Sequence, residues 1–381
     1  MRLVHLTGGA LLAALVAVPS LASGQTNPPP SGGSTGNSPS IQIGATIFYD
    51  YTATTEPKSK DADGNTITSN AFNVTRSYIN VTGHISDVVS FRLTPDITRS
   101  GDTGSTLNGA LVFRIKYAYA QFDLSQWTGK WRNTFVRAGA QPTPYLDYME
   151  GIYRYRFQGP IFAERESFEG ATLLTSSDVG ASFHTTFPGN FGDFHAGVYN
   201  GEGSTRAEAN DQKSVQIRAT VRPIAYSTSQ VGGRSLGVTV FYDADAYQRS
   251  AARRRFLLSL TVEHKRLNAG FELLDAQDQP SRFRSEIGSR GWSFWATPFV
   301  KERGNGLEGL IRVDRFRPNN NLSGQEKQRV IAGIAYWFPH PGVPATAALL
   351  FDVERVTFSG FPSTPAAASQ QRVAVHGLIN F

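Results

Sequence analysis

The chain has 381 residues, a formal net charge of +6 and no cysteine, so no disulfide holds it together. Its basic residues are 29 arginines and eight lysines, scattered rather than clustered. With a secretory start (below), that pattern argues against a nucleic-acid partner.

Residues 1–24 read as a signal peptide, with Met1–Arg2 as the basic start and Leu11–Val18 as the apolar stretch. The small residues Ala22, Ser23 and Gly24 mark the cleavage region. The apolar stretch is too short to span a bilayer, which takes ~20 residues. A lipid anchor is excluded because no cysteine follows it. Residues 25–40, rich in Pro, Gly and Ser, read as a flexible periplasmic lead-in. Gly32–Gly36 matches the GxSxG pattern, but neither strand nor helix flanks it, so no nucleophile elbow is expected.

From Ile41 to Phe381 the pattern predicts strand after strand and no amphipathic helix. The predicted strands are 41–51, 71–83, 88–98, 110–123, 133–140, 177–187, 193–200, 213–222, 235–243, 254–264, 267–276, 290–300, 306–316, 328–338, 345–357 and 370–381. Apolar and polar residues alternate along them: Val215, Ile217, Ala219 and Val221 against Gln216, Arg218, Thr220 and Arg222. Short turns at 84–87, 188–192, 265–266 and 301–305 alternate with longer loops at 52–70, 99–109, 141–176, 201–212, 277–289, 317–327 and 358–369. Segment 223–234 is long where a short turn is expected. Aromatics gather near strand ends, Phe48, Tyr49, Tyr51, Tyr242 and Trp292 at one level and Phe187, Phe299, Trp337, Phe338 and Phe381 at the other.

These features predict an all-β fold, a transmembrane antiparallel barrel of about sixteen strands surrounded by outer-membrane lipids. Arg76, Arg92, Arg137, Arg218 and Arg312 then line the pore, because an arginine facing lipid costs ~2–4 kcal/mol near the midplane. A barrel of that size leaves a water-filled channel. The last strand, ending on Phe381, resembles the C-terminal strand by which such barrels are recognised by the barrel-assembly machinery.

Four stretches resemble the phosphate-selective porin O and P family of Gram-negative outer membranes: Phe72–Gly83, Val136–Tyr145, Val198–Gly203 and Ile311–Phe316. The resemblance implies a homotrimeric porin of sixteen strands whose third outer loop folds inward into the pore. That loop is 141–176, and its candidate constriction residues are Tyr153, Arg154, Tyr155, Arg156 and Arg165. Two readings stand open: the arginines form an electropositive eyelet, or they pair with Glu150, Glu164 and Glu166 and pin the loop. The family's phosphate specialists carry lysines there, whereas 141–176 has none, so anion preference is expected ahead of phosphate specificity.

The expected function is passive diffusion of small hydrophilic solutes, leaning to small anions, across the outer membrane, with no catalytic residue, cofactor or metal. The alternatives are an adhesin or receptor acting through its outer loops, or a barrel enzyme. Asp61–Asn65 begins like a calcium loop, but the sixth position is Thr66 and the twelfth Phe72 instead of Gly and Glu. The histidines beyond the leader are dispersed, and His184 lies two residues from Ser182, the one spacing that would suit a Ser–His pair.

Overall fold

The computed structural model describes residues 39–224, 235–340, 345–361 and 368–381. The leader, nearly all of the lead-in, and most of segment 223–234 lie outside these residues. The chain forms β1 (Ser40–Lys60), β2 (Thr66–His84), β3 (Val89–Arg99), β4 (Leu111–Asp123) and β5 (Arg132–Pro142). A long connection follows, holding α1 (Pro144–Tyr153), α2 (Phe162–Arg165) and the two-residue strands β6 (Ser167–Phe168) and β7 (Ala171–Thr172). The wall resumes with β8 (Ser177–Thr186), β9 (Gly192–Tyr199), β10 (Ser214–Ile224), β11 (Ser235–Gln248), β12 (Ala251–His264) and β13 (Leu267–Asp278). It ends with β14 (Ile287–Pro298), β15 (Gly306–Arg317), β16 (Glu326–Trp337), β17 (Thr346–Ser359) and β18 (Ser369–Asn380).

All strands except β6 and β7 form one closed antiparallel barrel of sixteen, in which each strand pairs with the next and β1 pairs with β18. Closure leaves no unpaired edge, as hydrocarbon requires. The period-2 pattern sorts as expected. Val215, Ile217 and Val221 are exposed on the outside, and Gln216, Arg218 and Thr220 are buried within. At the seam, Phe381 N–H donates to Ala45 O across 3.0 Å, and Ala45 N–H returns a 2.9 Å bond to Phe381 O. Tyr49 lies opposite Gly377, and a Cβ at that glycine would fall 2.1 Å from the Tyr49 ring, so the ring lies over the glycine and any larger residue would have to displace it. Leu378, which breaks the sequence alternation, is buried inside.

Three expectations change. The first outer loop, expected over 52–70, is an extension of β1 and β2 into a long hairpin with its tip at 61–65, because Thr-rich alternating residues keep pairing beyond the barrel rim. Phe48, Phe299 and Trp337 face inward, whereas Tyr49, Tyr51, Tyr242, Phe338 and Phe381 are exposed. Their parity along each strand, not their height, decides the side. A ten-residue helix, α1, stands where no amphipathic helix is expected. Pro144 at its first position favours helix entry, and Arg154 closes it in the left-handed region at φ 62°. Apolar residues lie on several sides of it, so no single stripe marks it, and packing on both flanks holds it.

Candidate functional site

The long connection is attached to the inner side of the wall from end to end. Tyr145 Oη lies 2.6 Å from Ser259 Oγ on β12 and donates to Glu272 on β13 across 2.7 Å. Asn268, near the turn end of β13, donates to Ile152 O across 3.2 Å. Arg154 reaches Glu308, near the turn end of β15, at 2.6 Å, and its guanidinium stacks 4.7 Å from the Trp337 ring. Tyr155 donates to the same carboxylate at 2.8 Å. The chain then returns toward the loop end. Gln158 donates to Glu354, Pro160 O accepts from Arg312, and Glu166 takes Lys327 and Arg329.

Apolar packing reinforces these bonds. Tyr145, Leu146, Met149, Ile152, Tyr153, Tyr155, Phe157 and Phe162 form one buried cluster with Phe241, Leu257, Leu274, Trp295, Leu310, Ile331, Trp337, Leu350 and Leu378. Burying each large side chain is worth ~1.5–3 kcal/mol. The wall residues in this cluster come from β11–β18 and from β1 and β2; β3–β5 and β8–β10 contribute none. The connection therefore lies against one side of the barrel.

The candidate arginines divide by partner. Arg154 and Arg156 are both buried; Arg156 pairs with Glu150 at 2.7 Å and Glu164 at 2.9 Å. Burial pushes the Glu150 carboxyl above its ordinary range despite Arg156. Burial acts the same way on Glu164, but Arg156, Lys116 and Arg76 outweigh it and hold that carboxyl low. Arg165 pairs with Glu354 at 3.0 Å and stands against Gly159, where a Cβ would come within 3.0 Å of the guanidinium. Tyr153 packs on Trp295, ring centroids 5.2 Å apart. Arg312 binds Asp314 at 2.8 Å. Arg218 pairs with Asp193 at 2.5 Å and donates to Pro144 O.

On β3–β5, which the cluster does not reach, buried cations stand over aromatic rings. Arg92 lies 4.7 Å from the Tyr117 ring and donates to Asn80, and Arg137 lies 4.3 Å from the Phe135 ring and donates to Gln121. Arg76 pairs with Asp96 at 3.1 Å and keeps its side chain about a quarter exposed. It lines a cavity of about 140 Å³ with Arg114, Lys116, Glu164 and a rim of hydroxyls from Thr175, Ser176, Ser177 and Ser204.

Arg114 and Lys116 are absent from the sequence candidates. A register shift opposite Thr94 and Pro95 leaves Lys116 as the extra residue of β4. Arg114 and Lys116 thereby reach the inner side that Tyr117 and Tyr119 also face, which simple alternation forbids. Asp96, pairing with both Arg76 and Arg114, is the signal that was readable: an acid at an inward position beside two basic strands.

Ser182 and His184 do not meet as a pair. Ser182 Oγ donates to Gln141 at 2.6 Å and lies 3.2 Å from His195 Nε2 on the neighbouring strand β9. Among the described residues no cluster of His, Asp and Glu is arranged to hold a metal ion.

A closed sixteen-stranded barrel with a long connection bound to its inner wall is the architecture of an outer-membrane channel. The family described as phosphate-selective porin O and P matches residues 41–270, and the chain belongs to it. It is a porin of the outer membrane. Solved structures share the fold. The anion-selective porin from Comamonas acidovorans superposes with a TM-score of 0.59 at 14% identity, over 90% of this chain and all of that one. In-vitro folded OmpT of Vibrio cholerae, in its trimer form, gives 0.55 at 9%, over 90% and 99%. The outer-membrane channel DcaP of Acinetobacter baumannii gives 0.52 at 11%, over 90% and 97%. No curated protein matches the sequence.

Proposed function

We propose that this porin is a passive, water-filled channel favouring small anions, and that residues 141–176 form its constriction. The loop's apolar side is joined to β11–β18, to Phe48 of β1 and to Tyr78 of β2, so the water path runs past Arg76 and along β3–β5 and β8. The observation that carries the reading is the cavity there, where Arg76, Arg114 and Lys116 meet Glu164 and a rim of hydroxyls. A cation cluster in a narrow, poorly screened passage lowers the energy of an anion and raises that of a cation. Hydroxyls replace part of the anion's hydration without fixing one solute.

In this reading Arg154, Arg156, Arg165, Arg218 and Arg312 hold the loop, Arg218 through Pro144 O and the others through carboxylates, with Tyr153 and Tyr155 as its packed anchors. Arg76 lines the water path, and Arg92 and Arg137, buried on aromatic rings, stand behind that lining. Transport needs no bond to form or break. The chain follows Sec-type export, loses residues 1–24, is handed to the barrel-assembly machinery by the Phe381-terminated strand, and assembles as a homotrimer like the trimeric OmpT form.

The test is the reversal potential in planar bilayers under a KCl gradient. Ohmic steps with chloride preference are expected. Closed barrels would favour the receptor reading, and cation preference would overturn the anion assignment.

A further inference from the structure

The outward side of β12–β17 changes character along its length. Its middle is apolar: Leu260 on β12, Leu273 on β13, Phe294 on β14, Ile311 on β15 and Val330 on β16 are exposed. Toward the end that carries the long loops, the outward rows become Arg254, Arg290, Arg315, Arg317 and Arg355, all exposed. Pairing brings several together: Arg290 is opposite both Asp275 and Arg317, and Arg315 is opposite Trp292. Arg290 and Arg317 keep 71% and 58% of their side chains in the open, so ion pairing leaves them accessible.

Two carboxylates serve this row. Asp275 binds Arg290 at 2.7 Å, and Glu326 binds Arg315 at 2.6 Å and Arg317 at 3.2 Å. Among the described residues no carboxylate pairs with Arg254 or Arg355. Five guanidinium groups thus face two carboxylates on a surface turned away from the lumen. On β8, β9 and β10 the exposed outward residues toward the same end are Val179, Val198 and Val215. Arg99 on β3 is exposed at the same end, so the charge is densest on β12–β17 without being confined there.

The geometry points to a binding surface for a phosphate-bearing lipid of the outer leaflet. Its acyl chains lie on the Leu260–Leu273–Phe294 band, and its headgroup phosphates meet the arginine row. An apolar band beneath a cationic row matches an anionic amphiphile in both halves, and Trp292 marks the interface between them. Every cation in the row is arginine, whose rigid fork binds two phosphate oxygens at once. A free anion would have no use for the adjoining apolar band, which favours the lipid.

The experiment uses the full mature chain in nanodiscs, with native mass spectrometry counting retained lipid. The probes are diphosphorylated lipid A, phosphatidylcholine and inorganic phosphate. The wild type should retain lipid A in preference to phosphatidylcholine, and R254Q/R315Q/R317Q/R355Q should retain about tenfold less or below. Reversal potential should not change, because these side chains face away from the water path. If the fourfold variant does not fold, R254Q and R355Q, which break no ion pair, should each lower retention singly. Equal retention by wild type and variants overturns the proposal. So does release of the lipid by millimolar inorganic phosphate, which would assign the row to a free anion. A change of oligomer mass in place of lipid loss would assign the face to a neighbouring subunit and overturn it as well.

Discussion

Arg154, at the turn-end tip of the long loop, donates to Glu308 of β15 across 2.6 Å, and neither side chain meets solvent. Arg154 holds a left-handed backbone, which costs a non-glycine residue ~1–2 kcal/mol. The bond to Glu308 and stacking on Trp337 offset that cost. Loop placement therefore depends on a charge pair within the barrel.

Glu308→Gln should destabilise this anchorage by about 3–5 kcal/mol, because a buried guanidinium loses its counter-charge. The expected signs are noisier single-channel current and a lower thermal transition for the folded barrel. Arg154→Glu with Glu308→Arg should recover part of the loss. A Glu308→Gln barrel with wild-type noise and melting would show that the apolar cluster alone suffices.

Arg154→Glu with Arg156→Glu places acids among Glu308, Glu150 and Glu164. Like charges at buried sites should loosen the loop and change stability more than selectivity. A large swing of reversal potential at low salt, with melting unchanged, would instead place both guanidinium groups in the water path.

The wall was readable from the chain and the loop's attachments were not. Alternation along Val215–Val221 locates a strand and its wet side, since both follow from neighbouring residues. Sixteen such segments matched sixteen observed wall strands. The pairing of Arg156 with Glu150 and Glu164 was readable for the same local reason. Glu308 and Glu354 were not, since they lie about 150–200 positions from their loop partners and only barrel closure brings them near. Lys116 was hidden by a one-residue bulge, which reverses inside and outside beyond it. Phe48 and Trp337 resemble girdle aromatics because both lie near a strand end, whereas their parity turns them inward.

Removal of Phe381 takes away both backbone bonds to Ala45 at the closing seam, together with the terminal aromatic. Insertion should fall and periplasmic proteolysis should rise. Yield of folded, heat-modifiable barrel is the measurement, and normal yield would remove Phe381 from the assembly step.

Topology is testable because the chain has no native cysteine. Single cysteines at Asp63 on the hairpin tip and at Asn320, both exposed, should react with an impermeant maleimide on intact cells. Cysteines at Asp87 and Glu302, exposed in the turns at the other end, should react only after the outer membrane is opened. The opposite labelling pattern would invert the barrel.

The anion preference rests on the open side of the constriction. Replacing Arg76, Arg114 and Lys116 with Gln removes three positive charges from the cavity and leaves Asp96 without Arg76 and Arg114. The local field should reverse sign, because Asp96 and Glu164 remain. Reversal potential in a KCl gradient should move toward cation preference. The shift should be largest at low salt, since the Debye length is ~30 Å at 0.01 M and ~3 Å at 1 M. Asp96→Asn supplies the converse: losing that carboxylate leaves Arg76 and Arg114 unneutralised and should strengthen anion preference. Both variants leave the loop anchors Glu308, Glu354 and Glu166 in place, so melting should change less than in Glu308→Gln. If the two variants shift reversal potential in the same direction, fold damage is the cause and the cavity does not set selectivity. Opposite shifts that fade with salt would place the selecting charges on β2 and β4.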